Sequence, residues 1–158
     1  MSVLVDWEVN RGDIRVQLAL LMFRTARRLR LSNNRANRAL GRIFCGVYLV
    51  IVEWTWGIEL PWATSVGQRL RIFHGTGIVV HAHALLGEDV ILRQGVCVGE
   101  RQMQGGCPVI GDGVEFGVGA MVLGNCSVGD GARIGAGAVV LKDVPPGSAV
   151  VGNPARIL

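Results

Sequence analysis

From residue 57 onward the apolar positions keep a six-residue clock. Val66, Ile72, Ile78, Ala84, Val90 and Val96 fall on one clock; Ile110, Phe116, Val122, Val128, Ile134 and Val140 fall on another. The gap from Val96 to Ile110 is fourteen residues, one hexad plus an eight-residue insertion at about residues 100–109. Each clock position is typically followed by glycine and, four residues on, by a small or apolar side chain, as in Ile110-Gly111-Asp112-Gly113-Val114. One short strand and one turn per six residues cannot enclose a core alone. Stacked coils can, because the clock residues then form an interior column and glycine permits the tight turns. Three hexads make one triangular coil, so the pattern predicts a mainly β domain, a parallel β-helix of about four coils over residues 57–158. An antiparallel sandwich would not hold so strict a period.

Residues 1–56 carry a different pattern. Ile14, Leu18, Leu21 and Met22 recur at helical spacing, and Arg24, Arg27, Arg28 and Arg30 follow where positive charge suits the C-terminal dipole. Leu31-Ser32-Asn33-Asn34-Arg35 reads as a turn with a cap for a second helix, from about Asn37 to Trp56. The uncharged core of that helix, Ile43 to Val52, is ten residues. A membrane span needs about 20. The expectation is therefore a short α-helical region that covers one end of the β-helix or packs against a partner. Its arginines, beside Trp54, Trp56 and Trp62, also suit peripheral contact with an anionic membrane surface.

Composition sharpens this division. Half of the 158 residues are hydrophobic and 18% are charged, which excludes intrinsic disorder. Twenty of the 23 glycines lie after residue 56. Nine arginines against four acids give residues 1–56 a charge of +5, while seven basic and eight acidic residues give the remainder −1. The four cysteines show no C-x-x-C pairing, which argues against a zinc ribbon or a thioredoxin motif. Asp6, Glu8, Arg11 and Asp13 interrupt any early apolar run, so no signal peptide is expected and the setting is cytoplasmic with free thiols. No Gly-x-x-x-x-Gly-Lys phosphate loop is present, which disfavours nucleotide hydrolysis, and no nucleic-acid partner is expected.

The hexads resemble those of the left-handed parallel β-helix acyltransferases. Phe73-His74-Gly75-Thr76-Gly77-Ile78-Val79-Val80 is similar to the His-x-Thr-Gly-Ile-Val-Val segment of the serine acetyltransferase branch, and Val144-Pro145-Pro146 through Val151-Gly152-Asn153-Pro154-Ala155-Arg156 resembles its closing segment. The likeness covers about residues 54–158. Gly57-Ile58-Glu59 and Cys107-Pro108 place the chain nearest the acetyltransferases of exopolysaccharide biosynthesis, such as the colanic acid type. The left hand comes from this resemblance, since the usual crossover rule predicts the opposite.

The resemblance implies acyl transfer from acetyl-CoA to a hydroxyl. A hydroxyl is a poor nucleophile at neutral pH, so a positioned base must take its proton, and histidine suits that task. His74 matches the family's base, and Glu59, fifteen residues earlier, stands where the family pairs that base with an acid. Such a carboxylate fixes the tautomer and stabilises the imidazolium. The serine branch carries an acid before its base and Arg-His-Pro after the insertion; here those places hold Phe73 and Gly106-Cys107-Pro108. A zwitterionic amino acid needs charged clamps, so a neutral sugar hydroxyl is the better acceptor, with Phe73, His81, His83 and Cys107 facing it. Alignment of the hexads places Gly99, Val118 and Ala136 against the pantetheine arm of the coenzyme. Arg133 and Arg156 are candidates for its nucleotide phosphates. The i, i+2 spacing of His81 and His83 could seed a metal site, and some left-handed β-helices are zinc enzymes. Their three-histidine pattern is not found here, so no metal is expected. The family's sites lie between subunits, which implies a homotrimer. The expected activity is O-acetylation of a surface-polysaccharide sugar, at the cytoplasmic side and in contact with the membrane's inner face. The rivals are serine O-acetylation and a non-catalytic trimeric scaffold docked on membrane.

Overall fold

In the computed structural model, which describes residues 2–158, strands of two or three residues stack into three sheets. The first face carries β1 (Ile58–Glu59), β4 (Ile78–Val80), β7 (Cys97–Gly99), β10 (Met121–Leu123) and β13 (Val139–Val140). The second carries β2 (Ser65–Val66), β5 (Leu85–Leu86), β8 (Val109–Ile110) and β11 (Ser127–Val128). The third carries β3 (Arg71–Phe73), β6 (Ile91–Arg93), β9 (Glu115–Phe116), β12 (Arg133–Ile134), β14 (Ala149–Val151) and β15 (Arg156–Ile157), of which only the final pair is antiparallel. The chain visits the three faces in turn and climbs one coil each time. About five coils result, one more than the clocks predict, because Ile58–Leu60 before them and Val144–Val150 after them join the stack.

All twelve clock residues are buried, but the first clock is not a single register. Each hexad turns two side chains inward, as Val66, Leu70 and Ile72 show. Ile58 pairs with Ile78 and Ile72 with Leu92, a coil of twenty residues, whereas Val79 pairs with Cys97 and Met121 with Val139, eighteen apart. Two extra residues therefore enter between Phe73 and Ile78, and from Ile78 on the clock residues occupy the other inward position. The period survives because both positions are buried. The same slip corrects the insertion. Leu86 pairs with Ile110, twenty-four residues on, so the loop adds six residues to the coil and not eight.

A β-helix has an open end whose strand groups need partners. Here side chains from the N-terminal region supply them. Asp6 accepts from the Leu70 N–H, and the Asn10 amide donates to the Leu70 carbonyl while its oxygen accepts from the Ile72 N–H. Arg24 donates to the carbonyls of Val66 and Gly67, Arg27 to those of Trp62, Ala63 and Thr64, and the Tyr48 hydroxyl to that of Leu60. These bonds orient α1 (Ile14–Arg30), whose N-terminus is capped by Asp13. The helix buries Val16, Ala19, Leu20, Phe23 and Ala26. The stripe expected from the sequence lies round the helix from this face, and Ile14 and Leu18 are exposed. Arg24 and Arg27 sit on the buried side because they carry the bonds to the coil, and an apolar-only pattern counts them as solvent-facing.

The second helix, α2 (Arg35–Tyr48), begins at an Asn34 cap and continues as a π-helical stretch, Leu49–Thr55. Among the described residues no helix is long and apolar enough to cross a membrane.

Candidate functional site

The two extra residues between Phe73 and Ile78 form the turn that carries His74. Gly75 is pressed onto the core, where a Cβ would lie 2.8 Å from Ile58 Cδ1. The Thr76 N–H closes back on the His74 carbonyl at 2.6 Å. His74 itself adopts a left-handed φ of 51° and is exposed. A non-glycine residue in that region costs on the order of 1 kcal/mol and persists where its surroundings hold it. His74 stands at the foot of one edge of the prism. Going up that edge, the Gly95 N–H bonds the Thr76 carbonyl, Gly119 bonds Gln94, and Gly137 bonds Val118. The edge therefore stacks Thr76, Gln94, Val118 and Ala136 on successive coils, with Val118 and Ala136 exposed.

Glu59 points outward from the first face and is exposed. Among the described residues neither its carboxylate nor the His74 ring has a hydrogen-bond partner, so the two are not bonded to each other within one chain. The neighbouring Glu53, on the π-helical stretch, was not singled out in the sequence. Burial, and then the charge of Glu59, raise its carboxyl above the usual range. Glu59 also lines a cavity of about 450 Å³ with His81, Cys97, Gly99 and Glu100. Burial first and Glu59 second push the Cys97 thiol up.

The inserted loop leaves the first face at Gly99 and rejoins the second at Val109. Its two ends return to the turn after β4. Cys107 Sγ lies 2.9 Å from His81 Nδ1 and 3.9 Å from Glu100 Oε1. Burial and the Glu100 carboxylate raise the Cys107 thiol. His81 and His83 meet edge to face, with ring centroids 5.2 Å apart. The sequence offered no third ligand for this pair; the fold brings Glu100 to it.

The remaining candidates lie on the third face and the far end. The Arg71 and Arg93 guanidinium groups both lie over the Phe73 ring, 4.5 and 4.9 Å from its centre. Arg133 shares a hollow of about 210 Å³ with Arg93 and Glu115. Arg156 lines a separate hollow of about 400 Å³ together with Arg101 and Lys142. The two arginines proposed for phosphate thus stand apart, and Arg101 and Lys142 are cations that sequence spacing did not associate with Arg156. His74, Val118 and Ala136 follow one edge of the prism, while Gly99, His81 and Cys107 gather toward the opposite edge of the first face.

Residues 107–142 match the family model described as bacterial transferase hexapeptide (six repeats). The chain is 33% identical to the putative colanic acid biosynthesis acetyltransferase WcaB of Escherichia coli (strain K12), across 98% of each chain. It belongs to the hexapeptide-repeat acyltransferases. The soybean serine acetyltransferase apoenzyme superposes on 99% of this hexapeptide-repeat acyltransferase and 67% of its own chain, with a TM-score of 0.83 and 32% identity. A serine acetyltransferase in complex with CoA gives 0.80 at 28% identity, over 99% of this chain and 68% of that one. The β-helix is therefore the left-handed one of this family, helices included, and the chain is an acyltransferase enzyme.

Proposed function

We propose that this hexapeptide-repeat acyltransferase moves an acetyl group from acetyl-CoA to a sugar hydroxyl of a surface polysaccharide or its precursor. The observation that carries the reading is the Arg71–Phe73–Arg93 stack. At the place where the serine branch carries an acid that helps hold the amino acid, this chain presents an aromatic ring with two guanidinium groups over it. That surface repels an ammonium and suits a neutral, polyhydroxylated ring.

In the proposed reaction His74 takes the proton of the acceptor hydroxyl as its oxygen attacks the thioester carbonyl. The tetrahedral intermediate collapses, the C–S bond breaks, and the imidazolium returns the proton to the departing CoA thiolate. Glu59, unengaged and exposed, is the carboxylate that orients the imidazole once acceptor and coenzyme are bound. The division of the candidates between two edges of one prism supports a homotrimer, in which an edge of one copy meets the first face of the next.

A thiol-release assay tests the reading. Turnover with sugar or glycan acceptors, and none with L-serine, is expected; the reverse preference overturns it. Absence of acetyl-CoA binding in calorimetry would leave the scaffold reading instead.

A peripheral membrane position at the cytoplasmic face is proposed on a separate observation. Leu40, Ile43, Val47, Val50 and Trp54 recur every three or four residues along α2 and the π-helical stretch, and all are exposed, Ile43 at 70% and Trp54 at 75%. Arg35 and Arg42 on the same helix are exposed as well. An apolar stripe flanked by arginines suits an anionic lipid surface. The full chain should float with anionic vesicles at low salt and lose that binding in the Ile43→Ser, Trp54→Ser double variant; failure to float removes this part.

A further inference from the structure

The structure assigns a transition-metal site of the zinc class to His81, His83, Glu100 and Cys107, at the base of the inserted loop. His81, His83 and Glu100 each offer a ligand atom, and these atoms lie within 4.8 Å of one another. Cys107 Sγ stands beside this trio, 2.9 Å from His81 Nδ1 and 3.9 Å from Glu100 Oε1, and is the fourth donor once its side chain turns toward His83. Bonds of about 2.0–2.3 Å to a tetrahedral zinc ion place neighbouring donors roughly 3.3–3.7 Å apart. His81, His83 and Glu100 therefore need to close by only about 1 Å, while Cys107 swings in from beside His81 and the bond that His81 Nδ1 accepts from the His83 N–H at 3.2 Å gives way if that nitrogen takes the ion.

The donor chemistry selects the ion. Two imidazoles, one thiolate and one carboxylate suit zinc, whereas magnesium and calcium require oxygen donors. The thiolate and carboxylate together balance a divalent charge.

The placement says what the ion does. His81 and His83 flank the turn after β4, while Glu100 and Cys107 are the two ends of the inserted loop. Residues 101–105, between those ends, are all exposed, Met103 at 94%. Apart from its approach to Gly124 and Asn125 of the next coil and its own turn bonds, the loop is open to solvent, and metal at its base staples both ends to the preceding coil. The ion sits beside the cavity that Glu59 lines, on side chains expected to face the acceptor, and its binding is read without turnover, so the test does not depend on which acceptor the enzyme takes.

The test uses the full chain, stripped with chelator and titrated with ZnCl2 and with CoCl2. One ion per chain is expected, with a thiolate-to-cobalt charge-transfer band. Zinc should also slow tryptic cleavage after Arg101 at least tenfold. Cys107→Ser should abolish the charge-transfer band. His83→Asn, at an exposed position away from the core, should weaken zinc binding at least tenfold without lowering the thermal midpoint of the metal-free protein. Binding well below one equivalent, or binding unchanged in both variants, overturns the site. So does full binding that leaves cleavage at Arg101 untouched, because the staple would then be absent.

Discussion

Arg24 Nε lies 2.7 Å from an Asp6 carboxylate oxygen, and both side chains are at most 5% exposed. The second guanidinium nitrogen reaches the other carboxylate oxygen at 3.0 Å, so the pair is bidentate. Each partner also bonds the first coil, Asp6 at the Leu70 N–H and Arg24 at the Val66 carbonyl. Removing one partner strands the other charge in the interior. Arg24→Ala and Asp6→Ala should each cost about 3–5 kcal/mol in denaturant unfolding. The double variant should cost less than the sum, because neither charge is then left alone.

The edge that carries His74 predicts a separable loss of chemistry. His74→Ala should lower kcat by about 10²–10⁴-fold. CoA affinity, read by calorimetry, should stay within a factor of two or so of the parent, roughly the scatter expected for a residue that does not hold the coenzyme. Full turnover in this variant would remove His74 as the base.

Further up that edge, a Cβ at Gly117 would stand 2.4 Å from the backbone nitrogen of Ala136. Backbone cannot swing aside as a side-chain tip does. Gly117→Ala should cost about 1–3 kcal/mol, and it should weaken CoA binding if Val118 and Ala136 border the pantetheine arm. Thermal unfolding and CoA titration of the same sample read the two effects.

The Glu53–Glu59 neighbourhood sets a pH dependence. The carboxyl of Glu53 is raised by burial and by Glu59, so the folded state holds its proton more tightly than the unfolded chain does. Stability from this group is present below the unfolded value, about 4.3, and is lost as pH rises through the folded value. Glu53→Gln, which mimics the protonated form, should match the parent near pH 4 and exceed it at pH 7. Urea midpoints measured across that range give the comparison.

Arg101, Lys142 and Arg156 surround one hollow. Arg156→Ala should raise the KM for acetyl-CoA about tenfold through a lost charge-assisted bond, with kcat held. Arg133→Ala, in a different hollow, should act independently of it. Additivity of the two in steady-state kinetics checks their separation.

The hexad clock made the β-helix legible because each coil has one environment repeated. A buried column needs an apolar residue every sixth position, whatever the neighbours are. His74 stood out through the resemblance of Phe73–Val80 to the family segment, and Gly75 and Gly77, which follow it, serve the tight turn on which it sits. The slip at that turn was invisible for a physical reason. Both inward positions of a hexad are apolar, so a two-residue shift exchanges them without breaking the period. The end cap was hidden for another reason. Asp6, Asn10, Arg24, Arg27 and Tyr48 are polar residues doing the work of a missing strand, and hydrophobic patterning counts such residues as surface.

The sequence by itself determined the coil and the helices that precede it, because each follows from local spacing and turn chemistry, and the likeness of one segment to a known family singled out His74. Only the tertiary structure decided which distant side chains meet. Glu53 comes to face Glu59, Arg101 and Lys142 join Arg156, and Glu100 and Cys107 return to His81. These contacts arise from stacking one coil on another and from the six residues that the loop adds, and the distances between coils are not written in the spacing along the chain.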